Sequence, residues 1–129
     1  MYKPAMTSGA LFATLAVILG AFGAHALKAK LSVEMLQVFE TGVRYHFYHS
    51  FALLITGIAY LSYPDKNLRL ASSFFIIGIL LFSGSLYAMA LLSINGASIG
   101  PIGIVTPIGG LFFILGWILL FWGIIRKKA

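Results

Sequence analysis

The sequence contains no cysteine and few acidic residues, and both shortages restrict its chemistry. None of its 129 residues is Cys, and only three are Asp or Glu. The lack of cysteine excludes disulfide bonds, thiol nucleophiles and thiolate-bound metals. Charged residues make up 9% of the chain and hydrophobic residues 60%, against about 25% and about 45–50% in an ordinary soluble domain. With a mean hydropathy of +1.00, this composition excludes a soluble enzyme, a disordered chain and a nucleic-acid-binding domain, and leaves an integral membrane protein.

Long apolar runs are what the sequence has in abundance. A helix rises ~1.5 Å per residue, so ~20 apolar residues cross a hydrocarbon core of ~30 Å. Four stretches meet this requirement, at about residues 6–26, 43–63, 70–94 and 107–125. Because these runs are long and do not alternate with polar residues, they predict helices rather than barrel strands. We therefore expect one all-α domain over residues 1–129, a bundle of four transmembrane helices.

The connection between the first two spans has an amphipathic pattern. At 100° per residue, apolar side chains at 31, 35, 38 and 39 share one face, and polar side chains at 34, 37 and 40 share the other. This pattern predicts a short helix lying at the membrane interface. Ser32 is its expected N-cap, and Glu34 in the first turn would interact favourably with the helix dipole.

The connection over residues 95–106 carries no charge and is rich in glycine. Two interpretations stay open, a re-entrant or in-plane loop and an ordinary exposed turn, because irregular backbone within the membrane must be covered by protein or line a wet cavity. Thr106 and Pro107 form a typical pair of N-cap and first-turn residues. They predict that the fourth helix begins there.

Basic residues indicate the orientation. Four crossings place both termini on one side of the membrane. That side holds six basic residues, and the other holds three: Lys3, Lys66, Arg69, Arg126, Lys127 and Lys128, against Lys28, Lys30 and Arg44. The positive-inside rule then predicts that both termini are cytoplasmic and that residues 28–42 and 95–106 face outward.

Small residues recur at helical spacing in three of the spans. Membrane helices associate through close backbone approach at such residues, because burial of apolar surface does not join them in lipid. We predict helix-packing roles for Gly20, Ala24, Gly84, Gly109 and Gly116.

Ionisable and aromatic side chains cluster at the outward end of the predicted bundle. Glu40 and Arg44 stand four residues apart, as do Tyr45 and His49, so each pair can meet on one helix face. Ionisable groups at membrane depth usually face the bundle or a wet cavity and suggest a site. The candidate ligand-binding residues are His25, Glu40, Arg44, Tyr45, Tyr48 and His49.

Several interpretations of this cluster stay open. One interpretation is a structural ion pair within an aromatic interface belt. Another is a site for a lipid head group or small anion, with Arg44 as charge partner and Tyr48 or His49 as hydrogen-bond donors. A proton-linked, oligomeric small transporter is the alternative function, although no carboxylate lies at the middle of a span. Ligation of haem or a divalent metal by His25 and His49 lacks a second pair of ligands.

We therefore expect a non-enzymatic membrane protein with no cofactor, no metal and no catalytic residue. Its expected partners are membrane lipids, a second copy of the chain or another membrane protein, and not nucleic acid.

Four strings in the sequence carry a family resemblance. They are LGAFGAHAL at 19–27, FETGVRYHFYH at 39–49, GILLFSGSLY at 78–87 and TPIGG at 106–110. The chain resembles the YgdD-like family of small bacterial inner-membrane proteins, a domain of unknown function. The resemblance implies four membrane helices and a bacterial plasma-membrane location, and it supplies no activity. The family pattern falls on His25, Glu40, Thr41, Gly42, Arg44, Tyr45, Tyr48 and His49, whereas His46 departs from it because Gln is usual there.

Overall fold

A computed structural model describes residues 1–97 and 100–126. This part of the chain is mainly helical and contains no strand. Helix α1 (Lys3–Phe22) continues into a π-helical turn (Gly23–Leu27), and α2 spans Val33–Ala59. Helix α3 (Lys66–Gly78) continues through a second π-helical turn (Ile79–Ser83) into α4 (Gly84–Ser93). Helix α5 spans Ile102–Ile125. Three of the resulting segments are long and apolar enough to cross a membrane, namely Lys3–Leu27, Lys66–Ser93 and Ile102–Ile125. The all-α prediction is therefore confirmed, with three candidate spans.

Helix α2 begins ten residues earlier than its apolar run. The separate amphipathic helix expected before residue 43 is not present, because its residues form the first turns of α2. Ser32 is the N-cap, and its hydroxyl accepts a hydrogen bond from the Met35 backbone N–H at 3.1 Å. Phe39 is buried while Glu40 is exposed, so the amphipathic face packs onto the protein itself.

Helix α5 also begins earlier than expected, at Ile102 rather than Pro107. Pro101 is its N-cap, and Pro107 lies inside the helix. Residues 102–106 are apolar apart from Thr106 and satisfy their backbone groups best in a helix, which overrides the proline signal. Of the predicted 95–106 loop, Ser98 and Ile99 lie outside the described residues, and Gly96 makes the turn after α4 with a left-handed φ of 67°.

Helices α1 and α2 pack antiparallel along their whole length. A methyl group placed on Gly9 would lie 3.0 Å from the Ser50 carbonyl oxygen. At one end the Tyr2 backbone N–H donates to the Gly57 carbonyl at 3.1 Å. At the other end a methyl group on Gly23 would lie 2.6 Å from the Phe39 ring. The small residues of both helices therefore allow their backbones to approach closely.

Helix α5 packs antiparallel against the segment formed by α3 and α4. The contact runs along one stripe of α5 that carries Gly109, Gly116 and Gly123. A methyl group on Gly116 would lie 2.7 Å from the Phe75 ring, and one on Gly109 would overlap the Phe82 backbone. Phe75 is fully buried at the centre of the larger core cluster. The α5 glycines thus allow α5 to lie close to the segment formed by α3 and α4.

Two of the five predicted packing residues are not packed closely against a neighbouring helix. A methyl group on Gly84 would meet no atom of the described residues within 4 Å, so Gly84 is not at a close contact between the described helices. Ala24 is exposed rather than packed. Gly20 is close to α2, since a methyl group there would lie 3.3 Å from Val43 Cγ1. Spacing alone does not show which side of a helix faces a neighbour, which is why Gly84 was wrongly placed.

Candidate functional site

A groove opens between α1 and α2 where α1 passes into its π-helical turn. It has a volume of about 320 Å³. Its floor is made of small and apolar residues, and two charged residues of α2 stand at its edge. The lining consists of Gly20, Gly23, Ala24, Phe39, Val43, Glu40 and Arg44. We call this cavity the α1–α2 groove.

The two charged side chains of the groove form an ion pair at the upper limit of the usual distance. One guanidinium nitrogen of Arg44 lies 4.0 Å from a carboxylate oxygen of Glu40, one helical turn away. The Arg44 side chain is 64% exposed and that of Glu40 50% exposed. An exposed pair at this separation contributes only about 0–1 kcal/mol to stability. Both groups are therefore available to a charged ligand.

His49 lies on a different face of α2, away from the groove. Its ring stacks on Phe113 of α5, with centroids 3.5 Å apart and planes 6° apart. Its Nδ1 lies 2.7 Å from the Tyr45 carbonyl oxygen, and its Nε2 accepts from the Trp117 indole N–H at 3.1 Å. Because a carbonyl only accepts, Nδ1 must carry the hydrogen. This arrangement assigns the neutral imidazole with Nδ1 protonated and uses both nitrogens.

Tyr45 belongs to the same aromatic stack as His49. Its ring lies 4.7 Å from that of Phe82 and 6.3 Å from that of Phe113, measured between centroids. Tyr48 is 55% exposed and touches Tyr45 edge-on at 5.9 Å. These two tyrosines thus extend from the α2–α5 contact to the protein surface.

His25 is exposed in the π-helical turn after α1. Because both nitrogens of His49 are already hydrogen-bonded, axial ligation of haem by this histidine would require loss of one of these bonds. Among the described residues, no group of three or more His, Asp or Glu side chains is placed to hold a metal ion.

The α2 residues of the predicted cluster therefore divide into two groups, and His25 belongs to neither. Glu40 and Arg44 line the α1–α2 groove together with Gly20 and Ala24. Tyr45, Tyr48 and His49 form an aromatic group toward α5. Adjacent helical residues point about 100° apart, and this rotation separates Arg44 from Tyr45.

Sequence reasoning missed two polar contacts, one that joins α2 to the π-helical turn Ile79–Ser83 and one that joins α2 to α4. The Ser83 hydroxyl donates to the Gly42 carbonyl at 2.7 Å, and His46 Nδ1 lies 2.9 Å from the Tyr87 hydroxyl. Both His46 and Ser83 are buried. Among the described residues, His46 Nε2 has no hydrogen-bond partner, and the His46 ring packs edge-on against the Phe12 ring with centroids 5.8 Å apart. The only sequence signal was that these residues fall in the quoted family strings.

Chemically, the α1–α2 groove offers a cation, an anion and an apolar floor. The guanidinium is a fork of donors suited to phosphate or carboxylate oxygens, and the carboxylate accepts from N–H or O–H groups. The groove can therefore hold an amphipathic molecule with a charged head.

Comparison with known proteins places the chain in a family. The family described as "Protein of unknown function (DUF423)" matches residues 19–110, which include all four quoted strings. No solved structure gives a significant match.

Named relatives cover nearly the whole chain. The UPF0382 membrane protein YwdK of Bacillus subtilis is 45% identical over 117 residues, covering 87% of this chain and 88% of its own. A UPF0382 membrane protein of Haemophilus influenzae is 41% identical over 124 residues, covering 96% and 95%. These matches support a bacterial membrane-protein family, while the YgdD-like label is not among the names that they carry. The chain belongs to the DUF423 family, whose members carry the name UPF0382 membrane protein.

Proposed function

We propose that this membrane protein binds the head group of a membrane lipid in the α1–α2 groove. The observation that carries the proposal is the meeting of Arg44 with an apolar floor in one cavity. Arg44 supplies the charge partner for a phosphate, and the half-buried Val43 offers apolar surface to the adjoining part of the lipid. The loose ion pair with Glu40 leaves the guanidinium free to make this contact.

The proposal includes four crossings of the bacterial plasma membrane. Helix α2 has 27 residues, enough to span at ~1.5 Å per residue, although its polar residues keep it outside the candidate spans. Its antiparallel contact with α1 supports a crossing, because the end of α2 lies beside Tyr2 and its first half lies beside Gly23. Its two buried histidines face protein, where polar groups in membrane helices are usually found.

The orientation follows from the basic residues and stays part of the proposal. Lys3, Lys66, Arg69 and Arg126 lie at one end of the antiparallel helices, with Lys127 and Lys128 outside the described residues. By the positive-inside rule this end is cytoplasmic, so the α1–α2 groove faces the outer leaflet.

Native mass spectrometry of the gently extracted full chain tests the proposal. We expect the wild type to retain lipid and Arg44→Ala to lose most of it. Arg69→Ala is the matched control, because it removes an exposed arginine at the opposite end. Retention of the same lipid by Arg44→Ala, or equal loss from both variants, would contradict a specific site at Arg44. The same spectra report whether the chain assembles with a second copy.

A further inference from the structure

The α1–α2 groove presents two opposite charges rather than one. A lipid with a purely anionic head group would gain from Arg44 but would place its charge close to the Glu40 carboxylate, 4.0 Å from the guanidinium. A positively charged partner would meet the opposite difficulty. A head group that carries both signs a short distance apart complements both side chains.

Resting on the proposed function, we propose that the groove selects a zwitterionic lipid with a primary ammonium, such as phosphatidylethanolamine. Its phosphate pairs with Arg44 and its ammonium pairs with Glu40. Only a two-carbon link separates these groups in phosphoethanolamine, which suits side chains held one helical turn apart. The exposed intrahelical pair is weak, so it yields readily to two intermolecular contacts.

The chemistry of Glu40 favours a primary over a quaternary ammonium. A carboxylate accepts hydrogen bonds, and a primary ammonium donates three of them. A choline group has no N–H to donate and is usually recognised by a cage of aromatic rings. Among the seven residues that line the groove, Phe39 is the only aromatic, and it is 1% exposed.

The experiment measures competition among lipids on the full-length protein. The protein is reconstituted in nanodiscs of equal phosphatidylethanolamine, phosphatidylcholine and phosphatidylglycerol, and its retained lipids are measured by native mass spectrometry. We expect phosphatidylethanolamine to exceed each of the others by about threefold, the scale of one exposed ion pair. Glu40→Gln should abolish this preference and raise retention of phosphatidylglycerol.

Two further variants act as controls. Glu34→Gln removes another exposed acid of α2 that does not line the groove, so it should keep the wild-type preference. Ala24→Leu fills the groove from an exposed position without changing charge, so it should lower retention of all three lipids.

The outcomes distinguish the preference for a zwitterionic lipid from head-group binding itself, on which that preference rests. Lipid that is lost in Arg44→Ala but shows no preference for phosphatidylethanolamine would overturn the zwitterion inference and leave head-group binding intact. An unchanged preference in Glu40→Gln would also overturn it. No retained lipid in the wild type would overturn both.

Discussion

At the scale of single residues, two helical glycines that look alike in sequence have opposite surroundings. A methyl group on Gly109 would overlap the backbone of Phe82, whereas one on Gly84 would meet no atom within 4 Å in the part of the chain that the structure describes. We expect Gly109→Ala to lower the free energy of unfolding by about 1–3 kcal/mol, because a backbone cannot move aside as a side-chain tip can. A thermal unfolding scan in detergent measures the effect.

Gly84→Ala is the control for this prediction. It should leave the melting temperature unchanged or raise it slightly, because alanine favours a helix over glycine by about 1 kcal/mol. Equal losses in the two variants would show that the α5 contact is not the determining one.

Residue-level expectations from sequence were correct where a local pattern decides the geometry. Ser32 caps α2, as its position before the amphipathic run suggested. The hydrogen bonds between His46 and Tyr87 and between Trp117 and His49 could not be foreseen, since the partners lie far apart along the chain. Only the packed arrangement of helices brings these residues together.

At the scale of elements, the π-helical turn Ile79–Ser83 connects α3 and α4 and carries a contact to α2. The Ser83 hydroxyl within it donates to the Gly42 carbonyl, and both residues are buried. We expect Ser83→Ala to lower the free energy of unfolding by about 0.6–2 kcal/mol, the range measured for hydrogen bonds between membrane helices. Denaturant titration followed by circular dichroism measures the loss.

Ser73→Ala provides the comparison, because the exposed Ser73 hydroxyl donates to the Arg69 carbonyl of its own helix rather than to another helix. This variant should unfold like the wild type. A Ser83→Ala variant that matches Ser73→Ala would argue against a stabilising role for the contact with Gly42.

The elements themselves were predictable wherever composition is uniform. Apolar runs located the body of α1, of the α3–α4 segment and of α5. The start of α2 was placed at residue 43, ten residues late, because Glu34, Gln37 and Glu40 precede the apolar run, although Glu and Gln are good helix formers. The start of α5 was placed late because the Pro107 signal is local, whereas the requirement for internal hydrogen bonding in lipid applies to the whole segment.

At the scale of the whole molecule, the proposed topology can be tested with cysteine, since the chain has none of its own. Ser62 and Asn95 are both exposed, and they lie in turns at opposite ends of the α3–α4 segment. With cytoplasmic termini, we expect an impermeant maleimide to label Asn95→Cys in intact cells and to leave Ser62→Cys unlabelled. Permeabilised cells should label both. The reverse pattern in intact cells would invert the orientation and place the α1–α2 groove in the inner leaflet.

Only part of the candidate site could be predicted from the sequence. Spacing along α2 predicted that Glu40 and Arg44 could meet, and the structure places them 4.0 Å apart. The floor of the groove depends on α1, through Gly20, Gly23 and Ala24. Which side of α1 faces α2 is a tertiary property, and so the cavity itself became visible only in the folded molecule.

The polarity of α2 has a consequence for how the protein is made. In the proposed topology, helix α2 brings two histidines into the membrane, and its neighbours bury them; polar side chains of this kind make insertion of a single helix into lipid less favourable. Helix α1 emerges from the ribosome before α2 and supplies the glycine-lined surface against which α2 packs. With four crossings, α2 would therefore enter the bilayer together with α1 as a helical hairpin, and biogenesis of the chain would depend on this pairing before α3 is synthesised.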